Sequence, residues 1–199
     1  MRDVHPLRQV GRGLIALAGA AALVACSSTP PVGAEPQPTG FTLQSPGRAD
    51  NAMLAKPFAG KNPANPNCVG ENISPALAWA RAPSGTRSFA ILMDDQAGRA
   101  GLGVNHWVAY GIPADVSALA EGEATSQSPR FTAGKNTLGI GYLGPCPPRG
   151  NAPQHYVYTL IATTVEPGAL PPGLTKTQLL EALAGKARGA ASLVVRFAH

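Results

Sequence analysis

Proline and glycine interrupt this chain so often that its regular structure is confined to short segments. The 199 residues include 20 prolines and 23 glycines. Both residue types favour turns, and proline also removes a backbone hydrogen-bond donor. This composition does not indicate general disorder, because clearly apolar segments lie between the turns. These segments predict a mostly β domain in which long connections carry any site.

Four of the apolar segments have the length and composition of strands. They span residues 88–93, 104–112, 155–164 and 191–197. The first, SFAILM, is apolar throughout, which is typical of a strand buried on both faces. The second stops at Pro113, and the third is followed by Glu166-Pro167-Gly168. The strands therefore alternate with breaker-rich connections.

One or two short helices are predicted, one of them near residues 175–186. Thr175 and Gln178 have the spacing of a capping box, and Gly185 ends the periodic segment. We expect Leu179, Leu180 and Leu183 to line one apolar face of this helix.

The first 25 residues predict a signal peptide. Three arginines precede an apolar stretch at 14–25, and this stretch is too short to cross a bilayer of about 30 Å. The following LVACS resembles a lipobox, which predicts cleavage before Cys26, acylation of its thiol and export of the lipoprotein to the outer membrane, facing the periplasm. An ordinary secretory signal with a chance cysteine is the alternative. A Pro/Ser-rich tether then occupies 26–40, and one domain occupies 41–199.

Charge argues against a nucleic-acid partner. Removal of residues 1–25 takes away three arginines and one aspartate, which lowers the formal charge from +5 to +3. The remaining lysines and arginines form no run. Arg81, Arg87, Arg99 and Arg130 are scattered, and we expect them to be solvated surface residues.

Two cysteines remain in the predicted domain. In an oxidising envelope, a disulfide between Cys68 and Cys146 is the simplest outcome. A structural metal site is the alternative, although neither cysteine belongs to a CxxC or CxxH pair.

The glycines at 139, 141 and 144 fit the pattern G-x-G-x-x-G. A dinucleotide site needs this pattern to open a helix. Pro145, Pro147 and Pro148 follow at once and prevent a helix from starting there. We therefore expect no dinucleotide, and the rest of the sequence implies no other cofactor and no metal.

Three segments together resemble the phosphatidylethanolamine-binding protein family, in its bacterial Raf-kinase-inhibitor-like branch. They are CVGENISPALAW at 68–79, HWVAYGIP at 106–113 and LGPCPPRGNAPQHYVY at 143–158. The resemblance implies packed antiparallel β-sheets and a small pocket for phosphate-like headgroups. The positions that match the family's pocket are Asp95, His106, Gly144, Pro145, Pro147, Pro148, Gln154 and Tyr156.

The chain departs from the family pattern at two of these places. The family's aspartate-proline-aspartate becomes Asp95-Gln96-Ala97, and glutamine replaces the first histidine of its H-x-Y motif. His155 does not substitute for that histidine, because alternation along a strand puts it on the face opposite Gln154 and Tyr156. Gln154 is therefore expected in the pocket as a neutral donor. Anion binding should be weaker and less pH-dependent than with two histidines.

The residue chemistry suits an anion site. His106 can carry a proton near neutral pH, and we expect Asp95 to raise the pKa of His106 and to fix its tautomer. Tyr156 offers a hydroxyl. The loop offers backbone N–H groups at Leu143, Gly144, Cys146 and Gly150. Trp79, Trp107 and Tyr110 are expected in the core, and His106 as a core histidine remains an alternative.

These features predict a non-enzymatic, membrane-tethered binding protein. Its ligand would be a phospholipid headgroup or a small phosphate-bearing molecule. A hydrolase using Asp95 and His106 is one alternative, although no G-x-S-x-G nucleophile motif occurs. An interaction or inhibitor module that binds an acidic or phosphorylated protein segment at the pocket rim is another. The sequence leaves a homodimer open.

Overall fold

A computed structural model of the chain describes residues 40–124 and 128–199. The predicted signal peptide, Cys26 and the tether up to residue 39 lie outside the described residues. Within the described ranges, no helix is long and apolar enough to cross a membrane.

The described chain is mostly β, as the sequence predicts. The strands are β1 Thr42–Gln44, β2 Ala52–Met53, β3 Leu77–Ala80, β4 Ser88–Asp95, β5 Val104–Pro113, β6 Ala118–Leu119, β7 Thr132–Ala133, β8 Lys135–Asn136, β9 Gly139–Ile140, β10 Gln154–Thr163 and β11 Ala187–Phe197. Short helical segments lie at Lys56–Phe58 (3-10), Gly98–Gly101 (α1) and Lys176–Leu183 (α2).

The largest sheet has six strands in the order β2-β11-β10-β4-β5-β7. Its four longest strands are the four predicted from the apolar segments. All its pairings are antiparallel except that of β2 with β11, so the sheet is mixed at one edge rather than wholly antiparallel. A second sheet has the order β1-β3-β6, and β8 and β9 form a hairpin.

Both faces of the six-stranded sheet are covered, which explains the continuous apolar sequence of β4. One face packs against the β1-β3-β6 sheet, where Leu43, Trp79 and Phe89 belong to the same buried cluster. The other face packs against α2, where Leu92 and Leu179 share a second cluster. Trp79, Trp107 and Tyr110 are core residues, as expected.

The predicted helix forms as α2 at Lys176–Leu183. Its Thr175 cap makes a complete capping box with Gln178, and Gly185 follows the helix with a φ of 72°. The expected apolar face is correct for Leu179 and Leu183, which are buried, but wrong for Leu180, which is 41% exposed. Residue 180 is one position, or about 100° around the helix, from 179 and so leaves the buried stripe.

Three neighbouring long strands, β10, β4 and β5, have their termini at the same end of the large sheet, and this brings the predicted site together. Asp95 at the end of β4 pairs with Val104 at the start of β5 and with Tyr156 near the start of β10. At the opposite end of β4, Phe41 stacks on Phe89 with ring centroids 6.0 Å apart. The described chain therefore begins at the end of the sheet remote from Asp95.

Candidate ligand-binding site

A cavity of about 400 Å³ opens at the end of the large sheet where Asp95, Val104 and Tyr156 lie. Five of the eight predicted pocket residues line it: Asp95, His106, Pro148, Gln154 and Tyr156. Gly144, Pro145 and Pro147 do not line it, and the structure places them in the wall behind. The cavity also has lining residues that the sequence did not indicate, among them Lys61 and Tyr142.

His106 is buried in the cavity wall and is held by the loop rather than by a carboxylate. Its Nδ1 lies 2.9 Å from the carbonyl oxygen of Leu143. Donation from Nδ1 to this carbonyl leaves the other ring nitrogen, Nε2, for a ligand. The ring also meets Tyr156 edge-on at 5.3 Å between centroids.

Burial lowers the pKa of His106 below its ordinary value of 6.5. The Leu143 carbonyl and the Asp95 carboxylate both act to raise this pKa, but desolvation outweighs them. The expectation that Asp95 raises the pKa of His106 is correct in sign, although desolvation outweighs this contribution. The expectation that Asp95 fixes the tautomer is wrong, because a backbone carbonyl holds Nδ1.

Asp95 instead organises the turn between β4 and β5. Its Oδ1 accepts hydrogen bonds from the backbone N–H groups of Ala97 at 2.9 Å and Gly98 at 3.0 Å. The residue is 2% exposed. A short polar side chain that bonds to the backbone two residues ahead is a typical way to fix a turn.

Strand β10 presents the side chains that alternation predicts. Gln154 and Tyr156 are buried in the cavity wall, whereas His155 is exposed on the other face. The Tyr156 hydroxyl donates to Gln154 Oε1 at 3.3 Å. Burial raises the pKa of Tyr156, and the nearby Asp95 carboxylate raises it further. Tyr156 therefore stays protonated and retains a donor proton.

The loop at 142–148 uses some of its predicted donors for its own support. Leu143 N–H donates to the His106 carbonyl at 3.1 Å, and Gly144 N–H donates to Asn72 Oδ1 at 2.8 Å. These two groups are therefore unavailable to an anion, contrary to expectation. Asn72 also donates to the Tyr142 carbonyl at 3.1 Å, so it clamps the loop from both sides. No pattern in the sequence indicated this role of Asn72.

The three predicted residues outside the lining anchor the loop. A Cβ on Gly144 would meet the Gly60 nitrogen at 2.9 Å, so the backbones approach too closely for another residue. The Pro145 carbonyl accepts from Gly60 N–H at 2.8 Å, and the Pro147 carbonyl contacts a ring nitrogen of His199 at 2.9 Å.

Cys68 and Cys146 form the disulfide that the sequence suggested, with Cα atoms 4.7 Å apart. Both residues line the cavity. No group of three or more His, Cys, Asp or Glu side chains that could hold a metal occurs within the described ranges.

Two cationic side chains line the opening of the cavity. Lys61 precedes the disulfide-linked Cys68, and Arg99 lies in the turn after β4. Arg99 was expected to be an ordinary solvated residue; it is exposed, but the turn directs it to the cavity. Arg99 and Ala100 have φ values of 53° and 59°, a left-handed conformation that costs on the order of 1 kcal/mol for each residue. Sequence periodicity gives no signal for such a turn.

The fold and the site together define a β-sheet protein with a small polar pocket at one end of its central strands. A family model described as "Phosphatidylethanolamine-binding protein" matches residues 44–198, and the chain belongs to this family. The resemblance drawn from the three sequence segments is thus confirmed. Membership supports a binding protein of this type.

The relatives come from bacteria and archaea. A UPF0098 protein of Aquifex aeolicus is 34% identical over 158 residues, which cover 77% of this chain and 92% of that protein. The "Putative lipoprotein LppC" of Mycobacterium tuberculosis is 36% identical over 173 residues, covering 86% of this chain and 77% of that protein. The crystal structure of Escherichia coli YbcL, described as a member of the mammalian PEBP family, superposes with a TM-score of 0.71 at 26% identity, covering 80% and 98% of the two chains.

Proposed function

We propose that the cavity binds small phosphate-bearing molecules or phospholipid headgroups and does not transform them. The arrangement around His106 is the observation that carries the proposal. Its Nδ1 is committed to the Leu143 carbonyl, so Nε2 is the ring nitrogen left for a ligand. Lys61 and Arg99 supply positive charge at the opening, and Tyr156 supplies a hydroxyl in the wall.

Anion binding in this site should be coupled to proton uptake. The lowered pKa of His106 means that the imidazole of the free protein is neutral at pH 7. A neutral ring with its proton on Nδ1 presents only a lone pair at Nε2. A proton on Nε2 would convert it into a charge-assisted donor to a phosphate oxygen. A bound anion therefore favours the protonated ring.

The geometry offers little to a hydrolase. A base in a hydrolytic dyad or triad is oriented by its partner, but the ring nitrogen of His106 that an orienting carboxylate would hold is bound to a carbonyl. Asp95 directs Oδ1 to two backbone N–H groups. The two cysteines near the site are joined in a disulfide and are not nucleophiles.

Calorimetric titration with inorganic phosphate and phosphoethanolamine at pH 6 tests the proposal. We expect His106→Gln to weaken binding about tenfold or more, because it removes a charge-assisted hydrogen bond. His155→Gln is the matched control, because His155 is exposed on β10, on the strand face opposite Gln154 and Tyr156. Unchanged affinity in His106→Gln would place the anion elsewhere. Turnover of ester or phosphoester substrates that is lost in His106→Gln would favour the hydrolase instead.

We also propose that the protein is a lipid-anchored component of the bacterial envelope, at the outer membrane and facing the periplasm. The LVACS segment and a relative named as a lipoprotein support an acyl anchor at Cys26. Cys26→Ser should move the protein from the membrane fraction to the soluble periplasmic fraction. Continued sedimentation with membranes would contradict the anchor.

A further inference from the structure

Exposed apolar side chains are concentrated around the cavity opening. Five large apolar side chains are exposed in the described ranges: Met53, Leu102, Leu138, Ile140 and Leu180. Leu138 and Ile140 line the cavity with exposures of 54% and 58%. Leu102, at 81%, lies three residues after Arg99 in the turn that borders the same opening. Three of the five thus belong to segments around one opening.

The hairpin that carries Leu138 and Ile140 is held firmly. Asn136 donates through Nδ2 to the His106 carbonyl at 3.0 Å, and its Oδ1 accepts from Leu138 N–H at 2.7 Å. Thr137 N–H donates to the Asn105 carbonyl at 3.0 Å. The apolar side chains are therefore presented at fixed positions. Holding apolar surface in water is unfavourable unless a partner covers it.

The charge around the same opening is positive. Lys61 and Arg99 are both exposed and both line the cavity. Among the described lining residues, Asp95 is the one with a carboxylate, and it is buried under the Ala97 and Gly98 backbone. Fixed apolar side chains beside exposed cations suit an anionic lipid surface, because such a surface offers both apolar depth and negative charge.

The size of the cavity points to the same partner. Its volume of about 400 Å³ lies near the lower end of the range of roughly 300–1,000 Å³ for small-molecule sites. A phosphate-bearing headgroup fits this space, whereas two acyl chains do not. A phospholipid ligand would therefore leave its chains outside, where they need either apolar protein surface or the bilayer itself.

We propose that the mouth rim, formed by Leu102, Leu138 and Ile140 with Lys61 and Arg99, docks on an anionic lipid surface, so that the cavity receives a headgroup that is still held in the bilayer. This inference rests on the proposed headgroup binding and adds the source of the ligand. The rim supplies the contact with the membrane, and the cavity supplies the contact with the headgroup.

Vesicle binding by matched variants tests the docking. All variants are full-length chains carrying Cys26→Ser, so that the N-terminal segment contributes equally and without an acyl anchor. Leu102→Ser should lower partitioning onto phosphatidylcholine vesicles containing phosphatidylglycerol by about tenfold, since burying a leucine side chain contributes at least that factor. Leu102→Asp should lower it further. Vesicles of phosphatidylcholine alone should bind the parent more weakly.

Leu180→Ser is the control, because Leu180 is also exposed but lies on α2. It should leave vesicle binding unchanged, and Leu102→Ser should leave the affinity for inorganic phosphate unchanged. Partitioning within twofold of the parent in Leu102→Ser would overturn the docking. The docking would also be overturned if the parent were a dimer that Leu102→Ser converts to a monomer, because Leu102 would then contact a second copy of the chain. Failure of the parent to bind phosphate would contradict the proposed function, which is a separate outcome.

Discussion

At the scale of single residues, the environment of His106 decides how the site responds to pH. The side chain is 3% exposed, and its Nδ1 is engaged by a backbone carbonyl. The hydrogen bond would favour the charged ring, but burial disfavours it more strongly. His106 is thus neutral in the free protein near pH 7, and a bound anion would favour its uptake of a proton from solvent.

The stability of the free protein should fall with acid because of this group. The unfolded chain takes up a proton at His106 near pH 6.5, whereas the folded chain does so only at a lower pH. Below about pH 6.5 the free energy of unfolding should therefore decrease, by at most about 1.4 kcal/mol per pH unit. Thermal melts should show a steeper decrease for the parent than for His106→Gln. Parallel decreases would contradict the lowered pKa.

We expect Gln154 to limit the pH dependence of anion affinity that His106 provides. Its side chain lines the cavity beside Tyr156 but cannot change its charge. In Gln154→His, a second ring would gain a proton as the anion binds, so affinity should rise more steeply as the pH falls. Sulfate is a suitable probe because it remains a dianion between about pH 5 and 8. An unchanged affinity and pH profile would mean that residue 154 does not face the anion.

At the scale of elements, the loop at 142–148 shows what sequence patterns reach and what they miss. Its cysteine suggested a disulfide, which the structure has together with several backbone contacts. The use of its N–H groups by Asn72 and His106 was not predictable, since neither residue is near the loop in sequence. Such pairings follow from tertiary contacts and leave no periodic signal.

Gly144→Ala should disturb this element. The added methyl would enter the space occupied by the backbone around Gly60, which forces the two segments apart. Overpacking of this kind typically costs about 1–3 kcal/mol. Denaturant unfolding should show the loss of stability, and phosphate affinity should fall with it. Gly150→Ala is a useful comparison, because a Cβ there meets open space although φ is 81° and brings its own strain. If Gly144→Ala and Gly150→Ala changed phosphate affinity equally, the close packing at Gly144 would not be what supports the cavity.

At the scale of the whole molecule, strands were easier to predict than the site. Apolar segments bounded by breakers located β4, β5 and β10 to within two residues, because buried strands need that composition. The start of β11 at Ala187 was missed by four residues, since the residues at 187–190 lack a strong strand preference. Five predicted cavity residues came from the family resemblance. The position of Arg99 at the cavity depends on a left-handed turn, which no sequence pattern indicates.

The disulfide joins distant parts of this molecule, so its reduction should have a global effect. It spans 78 residues, and a link of that length stabilises the folded state by about 4 kcal/mol in the chain-entropy description. A reducing agent should lower the melting temperature by several degrees. The double variant Cys68→Ser/Cys146→Ser should reproduce this decrease and no longer respond to the reductant. An unchanged melting temperature would mean that the bond contributes little.

The stacking of Phe41 on Phe89 places the first described residues at the end of β4 opposite the cavity. The chain enters beside Phe89, and the cavity opens beyond Asp95, about 20 Å further along β4. A tether of about fourteen residues reaches at most about 50 Å, which is more than twice that separation. If the proposed acyl anchor at Cys26 and the proposed docking of the mouth rim both hold, the domain is attached to one membrane near Phe41 and binds lipid at the opposite end. It could then take a headgroup either from the membrane that holds it or from a facing one. The length of the tether, more than the affinity of the pocket, would then determine which membrane supplies the headgroup.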